Sequence, residues 1–393
     1  MEFDTLKGSF GAIYNTTFNR AKGIYLFDNS GNKYIDCING FGVEIMGHNH
    51  DKIKNAMLDF INADSIFQVN DMFSDLRFDF MNKLISMLPV HLQSSYLILS
   101  TGGTGSDAVE GAIRLAKLNT KRSGMVALHG CYHGTTNGAI SLTGKVTEKI
   151  DGMMPYVQHI STTLTPEQLW EMFDNDRRGF ATPAGVILEL TQSDGGIIPL
   201  DKTFVQTLYD ICQKYNIFFI VDEVQTGFGK TGTVFNFEQY GNIVPDAIVL
   251  SKALGGGMPI GCVLYKKEYT AGPRNNGTFR GNQIAYKLGC VIMDELKNGL
   301  LDNVNMCSDI FKSNIQKSDI VKDVRVVGLL MGIEYVTTEI CTNVFKLLLT
   351  HRLLVKQGGR DNKTLIFWIP LIITPEETMT VCNILNNINL NYN

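Results

Sequence analysis

The runs Phe218–Val221 and Ala247–Leu250 are continuously apolar, which predicts short strands buried on both faces in a parallel sheet. Tyr96–Leu99, Met125–Leu128, the VILEL segment from Val186 and GCVLY at 261–265 read as further strands. Between them the apolar period changes. Residues 201–216 carry an amphipathic helical pattern, as do 51–63 and 73–88, where Phe73, Leu76, Phe80, Leu84 and Met87 recur at helical spacing. Strand–helix–strand alternation predicts an α/β fold with a mostly parallel sheet covered by helices. Near the start, Ile24–Phe27, a turn at Asp28–Asn32 and Tyr34–Cys37 predict a hairpin. From about residue 291 the character changes. Helical stretches give way to VRVVGLLMGIEYV, read as one glycine-marked strand, then a helix in TNVFKLLLTHRLL and a tail, NNINLNYN, expected to fray.

A chain of 393 residues predicts more than one domain, and 44% hydrophobic content supplies large cores. The net charge of −4, with no basic tract, argues against a nucleic-acid partner. Eight cysteines lie scattered without metal-ligand spacing and read as buried thiols of a reducing compartment. MEFDTLKGSF lacks the basic-then-apolar order of a signal peptide. No apolar run approaches the ~18 residues of a membrane span. These features predict a cytoplasmic location with no membrane partner.

The candidate chemistry sits where strands end. Asp222 follows the first apolar run and Lys252 closely follows the second. Ligands of open α/β sheets bind outside the carboxyl ends of the strands, so an acid and an amine converge on one crevice. Flanking glycines let the backbone approach a ligand there. A lysine amine forms a Schiff base with an aldehyde, and an aspartate keeps a pyridine nitrogen protonated. Together they suggest pyridoxal phosphate, although an ordinary ion pair would explain the two residues alone. In YLILSTGGTGSDAVEGAIRLAK a strand meets a glycine-rich turn and a helix from about Ser106. That geometry suits a phosphate, or simply a helix capped by Ser106 or Asp107.

DEVQTGFGKTG followed by SKALGGGMPIG resembles the cofactor core of the class III, or ω-type, pyridoxal-phosphate-dependent aminotransferases. The resemblance runs essentially end to end. It implies fold type I: a large α/β/α domain, 48–290, and a small α+β domain built from both termini, 1–47 and 291–393. It implies Lys252 as the Schiff-base lysine and Asp222 as the partner of the ring nitrogen. Gly105 and Ser106 would bind phosphate. Tyr132, followed by His133, would stack on the ring opposite Val224. Gln225 would meet the ring hydroxyl, with Glu189 near the same face. Thr278 would reach the phosphate of a neighbouring subunit, making a homodimer the active unit. Small amine and oxo compounds would be the substrates. GTFRGNQ and, more weakly, SIFQVNDMF resemble the diaminobutyrate aminotransferases. His48 and His50, in a G-x-x-x-x-G-H-x-H pattern, read as structural, with no metal site expected. His129 and Cys131 also read as structural.

The pattern breaks at one functional pair. Family members carry a carboxylate-binding arginine where this chain has Ile366, and usually glutamate where it has Asp194. Either another cation replaces the arginine, with Arg280 preferred to Arg360, or the substrate presents no carboxylate there. Racemases, an aminomutase and a decarboxylase on the same scaffold share the lysine and aspartate, so the motifs leave those reactions open. A non-catalytic cofactor-binding protein would not need the full residue set.

Overall fold

The computed structural model describes residues 14–145, 152–174, 179, 181–273 and 277–392. MEFDTLKGSF, read above for a targeting signal, lies outside them, as do Asn275 and Asn276 of the loop before Thr278. β1 (Phe18–Lys22), β2 (Tyr25–Asp28) and β3 (Lys33–Asp36) form a meander. β4 (Tyr96–Gly102), β5 (Met125–Leu128), β6 (Val157–Ile160), β7 (Gly185–Leu188), β10 (Phe218–Asp222), β11 (Ala247–Leu250) and β12 (Gly261–Lys266) form the central sheet. Its order is β4-β12-β11-β10-β7-β5-β6. β10 runs parallel to β7 and β11, while β12 is antiparallel to both neighbours. The two-stranded β8 (Thr191–Gln192) and β9 (Ile198–Pro199) stand apart.

The central strands are apolar throughout because both faces are covered. Phe219, Ile220, Val221, Ile248 and Val249 are fully buried, each contributing roughly 1.5–3 kcal/mol by leaving water. Helices fill the connections, among them Gly105–Thr120 and Lys202–Tyr215. Asp201 caps the second by accepting from the Phe204 amide. This packing leaves the β10 and β11 ends, with their polar residues, as the place where a ligand meets the sheet.

β15 (Leu353–Leu354) pairs with β3, tying the C-terminal segment to the first meander. β13 (Val321–Val327), β14 (Leu330–Tyr335), β16 (Lys356–Gly358) and β17 (Thr364–Trp368) form another sheet, ordered β13-β14-β17-β16. Two expectations change here. VRVVGLLMGIEYV is two strands, because Gly328 at φ +60 turns the chain back between β13 and β14. The asparagine-rich tail continues the helix Pro375–Leu390, and buried Asn389 accepts from Tyr335 Oη at 3.0 Å. Among the described residues no helix is long and apolar enough to cross a membrane.

Candidate active site

At the carboxyl ends of β10 and β11 lies a cavity of about 420 Å³. It brings together Gly105, Ser106, Tyr132, His133, Glu189, Asp194, Asp222, Val224, Gln225 and Lys252. Phe41, Lys356 and Trp368 also line it, and the sequence reading had not singled out these three.

Asp222 is the last residue of β10 and is buried. His133 Nδ1 lies 2.7 Å from one carboxylate oxygen, and the Val224 amide donates to the other at 3.0 Å. Each carboxylate oxygen has lone-pair capacity beyond these bonds, and Asp222 lines the cavity, so the carboxylate is held in place yet can accept from a further donor. Lys252 follows β11 in a short 3₁₀ turn and has φ +39, a left-handed conformation uncommon outside glycine. Such strain persists only where the surroundings enforce it. Ser251 helps, since its hydroxyl donates to the Ile260 carbonyl at 2.6 Å. Burial pushes the Lys252 amine below its ordinary range, against the opposing pull of Asp222, Glu189 and Asp194.

The helix Gly105–Thr120 is capped by Thr104 in a capping box with Asp107, not by Ser106. Asp107 accepts from the amides of Gly103 and Thr104, and Thr104 accepts from that of Asp107. The amides of Gly105 and Ser106 fall between them, and both residues line the cavity. Opposite, a Cβ on Gly134 would stand 2.2 Å from Ser106 Oγ, so glycine there keeps the cradle open. Glu189 accepts from the Tyr132 amide at 2.8 Å and the Ser193 amide at 3.1 Å, and burial pushes its carboxyl up to about 7. Gln225 Oε1 is buried with no partner among the described residues.

At the mouth, Lys145 Nζ donates to Asp194 at 2.7 Å and Lys356 Nζ donates to its other oxygen. Burial pushes the Asp194 carboxyl up, but the two lysines outweigh it and leave it below the ordinary range. Trp368 donates from Nε1 to Ser193 at 2.7 Å, and its ring tilts against Phe41. Phe41 is carried by a left-handed stretch, with Asn39, Gly40 and Phe41 all near φ +55 to +60.

Ile366, Arg280 and Arg360 are not among the residues lining this cavity, and neither is Thr278, whose expected place is the phosphate of a neighbouring subunit. Ile366 is fully buried in an apolar cluster with Ile197, Leu330 and Trp368. Arg280 and Thr278 sit in the short turn Thr278–Gly281, away from the lining residues. Arg360, the other suggested cation, gives its guanidinium to Gln192 Oε1 at 2.6 Å. Two lysines stand at the mouth on Asp194, and of these Lys356 lines the cavity. It escaped sequence reading because a lysine in KQG carries no motif; its position follows from strand register alone. The two histidines have structural partners: His48 Nε2 lies 2.8 Å from Asp36, and His50 caps the helix Asp51–Asn62.

Comparison with known proteins finds relatives along nearly the whole chain. The family model described as aminotransferase class-III matches residues 11–388. A diaminobutyrate--2-oxoglutarate transaminase of Oceanobacillus iheyensis is 30% identical over 95% of this chain and 91% of its own. A diaminobutyrate--2-oxoglutarate aminotransferase of Haemophilus influenzae is 33% identical, over 87% of this chain and 83% of its own. The crystal structure of a transaminase from the marine bacterium Virgibacillus shares the fold at a TM-score of 0.87 and 22% identity, covering 98% of this chain and 94% of that one. Matched along nearly its whole length, the chain belongs to the class III aminotransferases.

Proposed function

We propose that this aminotransferase holds pyridoxal phosphate in the cavity at the ends of β10 and β11, and exchanges an amino group between 2,4-diaminobutyrate and 2-oxoglutarate. The observation that carries the cofactor reading is the convergence of Asp222, Lys252 and an unpartnered Gln225 Oε1 on one cavity. A buried acceptor without a donor is costly, and the cofactor's ring hydroxyl is a donor of the right kind. The volume suits a small cofactor. The substrate pair is taken from the relatives' names and from the GTFRGNQ motif.

When bound, pyridoxal phosphate supplies an electron sink for the carbon that carries the amine. The chain's residues do the rest. Asp222 accepts the ring N–H, and His133 fixes the carboxylate that does so. Gly105 and Ser106 bind the phosphate at a helix N-terminus. Tyr132 and Val224 would hold the ring, and Gln225 and Glu189 would meet its hydroxyl. Lys252 Nζ would hold the cofactor's aldehyde and would take the proton from the substrate carbon as general base. Its lowered proton affinity favours the neutral amine that this step needs.

The homodimer belongs to the same reading. Ile66, Phe67, Met72, Phe73, Phe78 and Phe279 expose a broad apolar band. The band is tied to the turn bearing Thr278, since the Val69 amide donates to Gly281 and the Gln283 amide to Phe67, both at 3.0 Å. A second copy covering it would bring Thr278 to the neighbouring phosphate. The eight buried free thiols suit a reducing, cytoplasmic setting.

The test is a half-reaction screen. Enzyme loaded with pyridoxal phosphate is mixed with single amines, and its visible absorbance is followed. Glutamate and 2,4-diaminobutyrate should each bleach it, with recovery on adding 2-oxoglutarate. No response to any primary amine would end the transaminase reading. Loss of chirality in a single amino acid, with no oxo acid required, would mean a racemase.

A further inference from the structure

β16 and β17 are antiparallel, and Lys356 stands directly opposite Ile366. Opposed residues on such a pair project to the same face with Cβ atoms ~4.5–5.5 Å apart. A charge lost from one strand at this position is therefore recoverable from the other. The geometry is consistent with that. Ile366 is buried with Trp368 beneath the mouth, while the Lys356 ammonium lines the cavity itself, 5.5 Å from the Trp368 ring and 5.4 Å from that of Phe41.

The charges at the mouth do not balance. Asp194 is one anion bonded to two cations, one on each oxygen. The three side chains are only 19–27% exposed, so bulk water does little to screen the surplus positive charge. The two rings flanking Lys356 remove further solvent. Among the described residues this cluster carries one cation more than it has anions, an arrangement on a cavity wall that suits a small anion arriving from outside.

We propose that Lys356 anchors the substrate carboxylate, supplying from β16 the charge of the arginine absent at Ile366, and that Asp194 parks this lysine while the anchor is empty. The ligand class is a 2-amino or 2-oxo acid whose carboxylate adjoins the reacting carbon. Lys145 gives Asp194 a second partner, so the aspartate stays paired when Lys356 turns to the substrate. This inference rests on the transaminase reading above. Asp194 is thus a positioning residue, and Lys356 a binding one.

The test compares holoenzyme carrying Lys356→Met, Lys356→Arg or Asp194→Asn with the unaltered enzyme. Each reacts in single half-reactions with glutamate and with 1,3-diaminopropane, an amine without a carboxylate. Binding of 2-oxoglutarate is measured separately by calorimetry, which needs no turnover. In Lys356→Met the ratio of kcat/KM for glutamate to that for diaminopropane should fall about tenfold to hundredfold, the scale of a lost charged hydrogen bond. The Kd for 2-oxoglutarate should weaken in parallel, and Lys356→Arg should restore both. Asp194→Asn should tighten 2-oxoglutarate by about threefold, because the competing anion is gone. A purely structural role would weaken it instead. An unchanged ratio in Lys356→Met, or weaker binding in Asp194→Asn, overturns the anchor while leaving the transaminase reading intact. If the unaltered enzyme reacts with no amine, the transaminase reading falls and the anchor falls with it.

Discussion

The floor and the mouth of the cavity are built by opposite rules. At the floor, Asp222, His133 and Glu189 are buried and tied down by short, directional hydrogen bonds. At the mouth, Lys145, Asp194 and Lys356 form a partly solvated ionic chain between flexible side chains. A reacting centre gains from groups already fixed where charge develops. A substrate gate gains from groups that can exchange one partner for another. The sequence resemblance implies that the floor keeps the family's residues and that the mouth departs from them at Ile366 and Asp194. On the reading proposed above, chemistry and selectivity fall to separable layers of one cavity.

The strongest way to break this comparison is at the floor. Lys252→Ala should abolish turnover and the lysine-bound cofactor absorbance together, and Asp222→Ala should lower kcat by about 10³-fold. Near-normal rates from either, read by steady-state kinetics, would remove the floor's chemical role. The next effect belongs to the mouth, where the selectivity loss in Lys356→Met should leave the cofactor spectrum in place. Gly134→Ala probes the phosphate cradle. Its φ of +123 and the 2.2 Å approach to Ser106 Oγ leave no room for a methyl group. Equilibrium dialysis should show pyridoxal phosphate bound about tenfold more weakly, the scale of ~1–3 kcal/mol of local strain. Unaltered affinity would place the phosphate elsewhere.

The smallest effect lies just beneath the floor. Burial pushes the Glu223 carboxyl up to about 7, although the Thr226 hydroxyl and the Phe237 amide donate to it. The folded state then holds a proton that the unfolded chain releases near pH 4.5. This group's stabilising contribution is full below that pH and is lost as the pH rises to about 7. Glu223→Gln should therefore raise Tm at pH 8 by about 2–4 °C, with no gain at pH 4. A gain at both values would assign the effect to packing, not charge.

Most of the floor was legible in the sequence because its residues sit in contiguous motifs next to continuous apolar strands. Asp222 and Lys252 each end such a run, and local order alone carries them to one crevice. Of the mouth only Asp194 was legible; its lysine partners were not, because they are assembled by long-range register. Lys356 reaches Asp194 only after β16 has paired with β17, and three residues of β16 offer no periodicity. The cap at Thr104 was missed for a different reason. Thr104, Ser106 and Asp107 are all good capping residues, and only backbone angles tell which one stops the helix. Gly328 likewise reads as an interruption within one strand until its positive φ makes it a turn.

Trp368 gives the molecule an optical property. The chain has only two tryptophans, and Trp170 lies on the helix Pro166–Asp174, away from the cavity, with the Lys214 ammonium 5.0 Å above its ring. The indole of Trp368 is instead a wall of the cavity, with Lys356 beside it. A conjugated ring bound on the floor, as proposed, would absorb where indole emits and would draw excitation from this tryptophan before the other. The emission of the loaded chain would then divide into a bystander signal and a reporter placed between the two layers, dimmed by what fills the floor and tuned by what neutralises the mouth.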